Sequence, residues 1–291
     1  MANTLTRYLP ARFRKDTVPI PVVRMSGTIM AGGGRLRSGL SLATVAQALD
    51  KAFSVKKAPA VAILVNSPGG SPVQSRLIFQ RIRDLAAEKD KQVLVFVEDL
   101  AASGGYMIAC AGDEIIADPS SIVGSIGVVS GSFGFVEAMH KLGVERRVYT
   151  AGKNKVTLDP FQPEKPEDVE HLKTLQIEVH QTFIDLVKER RGARLSDDPD
   201  LFSGLFWSGK RGQDLGLVDR LGDLHGVIRE RFGDKAKPSL VQQARGWFGR
   251  RTPAIAGLGL FGLDGETIGA GAAEALISVA EDKALWTRYG L

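Results

Sequence analysis

Two short runs of almost entirely apolar residues, AVAILVN (60–66) and QVLVFVE (92–98), most constrain what this chain can fold into. Continuous apolar runs of this length are typical of strands that are buried on both faces of a parallel sheet. The stretch between them, SPGGSPVQSRLIFQRIRDLAAEK, predicts a turn and then a helix with one apolar face. The pattern therefore indicates βαβ crossovers around a mainly parallel sheet.

The rest of the chain extends this α/β pattern. IPVVRMSGTI predicts a strand, and SLATVAQALDKAFS predicts a helix that Ser41 caps. Further short strands are predicted at DEIIAD, VGSIGVV and RRVYTAG, with FVEAMHKLG as a helix between the last two. Beyond Lys155 the sequence predicts a helical extension made of PEDVEHLKTLQIEVHQTFIDLVKERRG and LGDLHGVIRERFG.

Composition excludes several classes of protein. The 38 basic and 33 acidic residues give a net charge of only +5 and are scattered along the chain, so nucleic acid is not an expected partner. The single cysteine, Cys110, excludes an internal disulfide and a CxxC metal site. We find no apolar run of the signal-peptide or membrane-spanning kind and expect a cytoplasmic protein. The stretch RGWFGRRTPAIAGLGLFGL (245–263) leaves peripheral membrane contact open, although a packing tail is the simpler interpretation.

Two loops fall where strands of such a sheet end, which is where sites in α/β sheets lie. In the first, Gly69 and Gly70 allow unusual backbone angles that can direct N–H groups into one concavity. Ser71 and Pro72 then predict the start of a helix. The second loop places Ser103 before two glycines, where a serine is ordinarily a helix cap and alternatively a nucleophile.

A nucleophilic serine needs a base to take its proton. The four histidines lie in or beside helical segments with polar neighbours, so we interpret all of them as solvated: His140, His171, His180 and His225. The chain contains neither G-x-S-x-G nor H-E-x-x-H. Lysine is the remaining candidate, since burial of an amine favours its neutral form, and VYTAGKNKVTLDPF carries two of them.

At this point the motifs converge on a family. NSPGGSP, LAASGGYMIACAGDEIIADPSSIVGSIGVV, TAGKNK and WSGKRGQDLGLVDRLG together resemble the serine/lysine peptidases of the signal-peptide peptidase A group, peptidase family S49. The resemblance covers about residues 20–232. It implies the Clp protease/crotonase-like α/β fold, with flanking helices and a helical C-terminal extension. It also implies hydrolysis of peptide bonds through an acyl-enzyme, with no metal or cofactor.

The resemblance assigns roles residue by residue. Ser103 matches the nucleophile, Ser125 matches the serine that orients the lysine, and aligning AGKNK to the family pattern selects Lys155 over Lys153 as general base. The oxyanion hole is implied at Gly69, Gly70 and Gly104. Met107 stands where many relatives have a second tyrosine, and it alters at most a wall of the substrate pocket.

In this family the serine and the lysine of one site are contributed by neighbouring subunits or by two halves of a duplicated chain, and this chain resembles a single half. The resemblance therefore implies a homo-oligomeric ring, an octamer, whose substrates are hydrophobic peptides such as signal peptides or membrane-derived fragments. On this basis we divide the chain into four parts: an N-terminal arm (1–19), a catalytic α/β core (20–160), a helical extension and oligomerisation region (161–235), and a Gly-rich C-terminal tail of unknown role (236–291).

Two alternatives stay open. One is a crotonase-type acyl-CoA enzyme, which would use the same oxyanion architecture without needing Ser103 and Lys155 together. The other is a non-catalytic ring that scaffolds membrane partners. Many family members carry an N-terminal membrane anchor that we do not find here. GLGLFG (257–262) matches G-x-G-x-x-G but follows no predicted strand, so we do not interpret it as a dinucleotide site.

Overall fold

The computed structural model describes residues 17–31, 39–241 and 283–291. Eight strands are present in these ranges: β1 (Val18–Ser26), β2 (Ala60–Ser67), β3 (Gln92–Ala102), β4 (Glu114–Ala117), β5 (Ile122–Gly124), β6 (Phe206–Ser208), β7 (Arg220–Leu221) and β8 (Ala236–Leu240). The α-helices that accompany them are α1 (Leu42–Phe53), α2 (Pro72–Lys89), α3 (Gly104–Ala109), α4 (Val136–Leu142), α5 (Pro166–Arg191), α6 (Gly209–Asp214) and α7 (Leu224–Phe232), followed by a short helical stretch at 283–287. None of the helices within the described ranges is both long and apolar enough to cross a bilayer.

One sheet contains all eight strands. Its main path runs β6-β5-β3-β2-β1-β8, and β4 pairs with β3 and β7 beside that path. Every pairing is parallel except that of β5 with β6. The mainly parallel α/β sheet with flanking helices that the sequence predicts is therefore confirmed.

The apolar runs form the centre of this sheet. Within β2 only Leu64 is even partly exposed, and β3 is buried from Val93 to Val97. Side chains of β2 and β3 enter two core clusters, one packed mainly against α1, α2 and α3 and the other against α7. Burial on both faces is what the continuous apolar pattern predicts for a central parallel strand.

The predicted start of α2 is confirmed in detail. Ser71 is its N-cap and accepts a hydrogen bond from the Gln74 backbone N–H at 3.3 Å. Pro72 occupies the first turn, where its missing N–H removes no helical hydrogen bond. The helix therefore begins immediately after the Gly69–Gly70 turn.

A break in the pairing of β2 with β3 shapes the end of β3. Val65 pairs with Val97 but Ser67 pairs with Ala101, so β3 carries two extra residues there. The side chain of Asn66 fills the break: it accepts from the Leu100 N–H at 3.3 Å and donates to Asp99 at 2.6 Å. The first half of β3 pairs with β4 and the second half pairs with β5. The shift thus brings β5, which precedes Ser125, alongside the residues that precede Ser103.

Three details differ from the sequence-based prediction. The stretch RRVYTAG forms no strand, because its residues are exposed and no partner strand lies beside them in the described part of the chain. VGSIGVV is a strand only as far as Gly124. At the other end, β8 pairs with β1 although it lies within residues 236–291, which the sequence predicts as a tail. The GLGLFG motif and the whole 245–263 stretch lie outside the described residues, as does most of the N-terminal arm.

Candidate active site

Ser103 lies on a sharp turn between β3 and α3. Its backbone φ is 52° and its ψ is −124°, a conformation that non-glycine residues rarely adopt and that the surroundings must hold in place. Its N–H donates to the Gly124 carbonyl at 2.9 Å, and its carbonyl accepts from Tyr106 and Met107. Strained strand-turn-helix geometry of this kind presents a nucleophile at the end of a sheet.

Glycines surround this turn because the backbone approaches too closely for any side chain. A Cβ added at Gly69 would lie 2.7 Å from Ser103 Cβ and 2.9 Å from the Gly104 nitrogen. At Gly104 itself, an added Cβ would lie 2.2 Å from Ser75 Oγ. The predicted meeting of the two glycine loops is therefore present, with the first loop packed directly on the serine turn.

The N–H groups of the three predicted oxyanion glycines differ in their partners. That of Gly69 donates to Ser67 Oγ at 3.2 Å, and this hydroxyl in turn donates to the Gly27 carbonyl at 2.7 Å. The N–H groups of Gly70 and Gly104 have no acceptor among the described residues. Gly104 is buried, where an N–H group is normally paired, whereas Gly70 is exposed. An unpaired buried donor beside the candidate nucleophile is suited to an incoming anionic oxygen.

Ser125 is close to Ser103 in space. It is only 3% exposed, has a φ of 54°, and donates its N–H to the Leu205 carbonyl at 2.7 Å. Its Oγ accepts a hydrogen bond from the Tyr289 hydroxyl at 3.1 Å. Both serines line one cavity of about 250 Å³, together with Gly127, Val128, Val129, His180, Ser203, Gly204 and Arg288.

His180 corrects the interpretation of all four histidines as solvated. The other three are exposed, but His180 is half-buried, and its Nε2 lies 3.0 Å from the Ile126 carbonyl oxygen. Because a carbonyl oxygen only accepts, Nε2 carries the proton and donates it. His180 therefore holds the backbone next to Ser125. Its spacing of three and seven residues from the buried Phe183 and Val187 on α5 is the signal that could have placed it on the inner face.

Lys155 does not line the cavity beside Ser103, and neither does Lys153. Lys155 belongs to a long surface stretch, here called the exposed segment (129–155), in which every residue except Val136 and Met139 is exposed. Lys153 lines a separate cavity of about 690 Å³ that reaches Leu172 and Leu175 on α5. A single chain thus brings together Ser103, Ser125 and the glycines but leaves both lysines outside.

The exposed segment carries several large apolar side chains that are exposed to solvent. Val129 is 74% exposed, Phe133 73%, Leu142 77% and Tyr149 90%. Soluble monomers rarely leave such side chains grouped on the surface, and grouped ones typically mark an interface.

No group of three or more His, Cys, Asp or Glu residues that could hold a metal ion occurs in the ranges 17–31, 39–241 and 283–291.

Known proteins with different names are similar to this chain over most or all of its length. A Brucella melitensis protein named as the Na(+)/H(+) antiporter NhaA is 63% identical over 291 residues, which are 100% of this chain and 39% of that protein. The chloroplastic serine protease SPPA of Arabidopsis thaliana is 32% identical over 213 residues, 72% of this chain and 31% of that protein. The chain thus spans well under half the length of these relatives.

Among solved structures, a point mutant of ClpP1 from Listeria monocytogenes aligns with 70% of this chain and 92% of its own, at 16% identity and a TM-score of 0.43. The family model described as "Peptidase family S49" matches residues 86–236, which include Ser103, Ser125 and Lys155. That match spans just over half of the sequence, and the chain therefore belongs to peptidase family S49.

Proposed function

We propose that this chain is a serine endopeptidase that cleaves hydrophobic peptides with a Ser/Lys dyad. One observation carries the proposal: Ser103 lies on a strained turn, in a cavity shared with Ser125, beside the unpaired N–H groups of Gly70 and Gly104. Membership of family S49 supports peptide hydrolysis as the reaction.

The base in this proposal is Lys155 of a neighbouring copy. The chain's own Lys155 is exposed and does not line the cavity beside Ser103, whereas the exposed segment that carries it displays apolar side chains suited to contact with another subunit. Such contact would cover the amine with protein, which favours the neutral form that a general base requires. A repeated head-to-tail contact closes into a ring, which we propose to be an octamer.

The reaction proceeds in two acyl transfers. The neutral lysine takes the Ser103 hydroxyl proton while the oxygen attacks the peptide carbonyl, and the backbone N–H groups stabilise the oxyanion that forms. The resulting ammonium group then gives its proton to the departing amine. Water repeats the sequence on the acyl-enzyme and regenerates Ser103. Ser125 orients the lysine because its Oγ accepts a hydrogen bond from one N–H of the amine.

One feature supports an apolar substrate: Val128 and Val129 form an apolar part of a cavity wall whose other members are glycines and polar side chains. We also propose a position close to a membrane, supported by the Brucella relative, in which the counterpart of this whole chain is part of a protein named as an antiporter. Separation of cell membranes from the soluble fraction, followed by detection of the chain, tests that position.

The decisive experiment is hydrolysis of a quenched fluorescent hydrophobic peptide by purified protein. We expect Ser103→Ala and Lys155→Ala to abolish cleavage. Lys153→Ala is the matched control, because it removes a lysine two positions away, and we expect it to retain most of the rate. Equal cleavage by all three variants and the parent would overturn the proposal. Turnover of a CoA ester that survives Ser103→Ala would favour the acyl-CoA alternative instead, and a complete lack of peptide cleavage would favour the scaffold.

A further inference from the structure

The C-terminal residues 283–291 lie against the candidate site. Residues 283–287 are helical, and the Tyr289 ring that follows is only 6% exposed. This ring packs with Leu100 and Ala102 and meets the ring of Phe206 edge-on, with 4.9 Å between the centroids. The N–H of Tyr289 donates to the Trp286 carbonyl at 2.9 Å, which fixes the turn. The tyrosine is therefore held by packing on both sides.

The Tyr289 hydroxyl has one partner in the described chain, Ser125 Oγ, to which it donates at 3.1 Å. A serine hydroxyl offers one proton and two acceptor lone pairs. The tyrosine uses one lone pair, so the second lone pair and the proton remain. Without the tyrosine, Ser125 Oγ would have no hydrogen-bond partner within the described residues, so no hydrogen bond there would fix the direction of its hydroxyl.

The tail does not close the site. With Tyr289 in place, Ser103 and Ser125 still line a common cavity of about 250 Å³, and Arg288 forms part of its wall. A segment that acted as a plug would be expected to fill this space. The arrangement leaves room for an amine to approach Ser125 from the side of Ser103.

We infer that Tyr289 is a positioning residue that fixes the orientation of the Ser125 hydroxyl. The remaining lone pair of Ser125 Oγ then accepts a hydrogen bond from an N–H of the general-base lysine. The lysine is then held with its own lone pair toward the Ser103 proton. Tyr289 itself exchanges no proton and does not contact the substrate. The inference depends on the Ser/Lys mechanism proposed above, and it gives Tyr289 a role in the active site through its hydrogen bond to Ser125.

The test is Tyr289→Phe, which keeps the packed ring and removes only the hydroxyl. We expect kcat for the fluorescent peptide to fall about 3- to 10-fold, the range that loss of one positioned hydrogen bond gives, with KM unchanged. Thr287→Val is the matched control, since it removes an exposed hydroxyl from the same segment, and we expect the parent kcat. The melting temperature of each variant confirms that it is folded.

A double-mutant cycle separates positioning from a general structural effect. Tyr289→Phe should lower the rate in the parent but cause no further loss in a Ser125→Ala background, measured on a reactive peptide ester so that slow variants stay measurable. An equal loss in both backgrounds would overturn the inference. So would an increase in kcat for Tyr289→Phe, which would identify the tail as an inhibitor. If Ser103→Ala and Lys155→Ala remain active, it is the proposed function that fails.

Discussion

The backbone N–H of Ser103 donates to the carbonyl oxygen of Gly124 at 2.9 Å, which joins the turn of the candidate nucleophile to the residue before Ser125. Both serines have a positive φ, 52° and 54°. Each such conformation costs on the order of 1–3 kcal/mol and persists only where neighbouring contacts impose it. One hydrogen bond therefore links the turn of Ser103 directly to the residue that precedes Ser125, in addition to the contacts that each serine makes separately.

Substitution of Gly124 should disturb both serines together. Its φ is +102°, and an added Cβ would lie 2.7 Å from the Trp207 ring. We expect Gly124→Ala to destabilise the fold by about 1–3 kcal/mol in urea unfolding and to lower kcat for peptide hydrolysis at least 10-fold. Gly233→Ala is the control, because φ there is +80° but nothing lies within 4 Å of the added Cβ. It should lose stability without losing kcat. A parent-like kcat in Gly124→Ala would contradict this dependence.

A site shared between copies predicts complementation of two inactive variants. Ser103→Ala retains Lys155, and Lys155→Ala retains Ser103, so a mixed ring would contain some complete sites. After the two are unfolded together and refolded at equal amounts, about a quarter of the parent activity should return, as expected for random neighbours in a ring. Each variant refolded alone serves as the control. No recovery from mixtures shown to be co-assembled would rule out a site shared in this way.

The Arg191–Asp219 pair should be important for stability. Two hydrogen bonds of 2.7 and 2.9 Å join their side chains, and that of Arg191 is only 1% exposed. Asp219→Asn would leave the buried guanidinium without its counter-charge, so we expect a loss of about 3–5 kcal/mol in urea unfolding. Asp198→Asn, which breaks a more exposed pair with Arg211, should cost at most about 1 kcal/mol. Similar losses of unfolding free energy in the two variants would contradict the larger contribution expected of the Arg191–Asp219 pair.

The same pair predicts a loss of stability in acid. Burial by itself would raise the pKa of Asp219, but the hydrogen bond and charge of Arg191 outweigh it and hold that pKa below its ordinary value. The stabilisation is therefore complete above the unfolded-state pKa of about 3.9 and disappears as pH falls through the lower folded value. Unfolding free energy measured from pH 6 down to about pH 2 should fall less steeply in Asp219→Asn than in the parent. Parallel curves would argue against this contribution.

Cys110 should be unreactive in the folded protein. Burial raises the pKa of its thiol to about 12, so the nucleophilic thiolate is scarce at neutral pH. A chromogenic disulfide reagent should label none of it in native protein and one equivalent in denaturant, since the chain has one cysteine. Rapid labelling of native protein would show that α3 opens readily.

Local signals predicted much of the fold. The apolar runs of β2 and β3 and the Ser71–Pro72 start of α2 act through neighbouring residues, and all three are confirmed. The shift in β3 was not predictable, because it depends on the contact of Asn66 with Leu100, 34 positions away. The predicted RRVYTAG strand failed because a strand needs a partner that only the fold can supply.

In the candidate site, too, features that depend on neighbouring residues were predictable and features that depend on distant residues were not. The family resemblance implied that the Gly69 loop lies beside Ser103, and the two residues are in contact. The catalytic roles of Ser103, Ser125, Lys155 and the glycines stay predictions. Tyr289 carries no local signal, because it reaches Ser125 across 164 positions and a stretch of chain without an informative pattern.

The exposed segment has a consequence for when this protein can act. If the amine on it serves only a neighbour's serine, an isolated newly made chain has no complete site and cannot damage other proteins. Cleavage would then begin only above the concentration at which copies assemble, and it would stop on dilution. Association itself would be the safeguard, with no need for a removable pro-segment or a separate inhibitor.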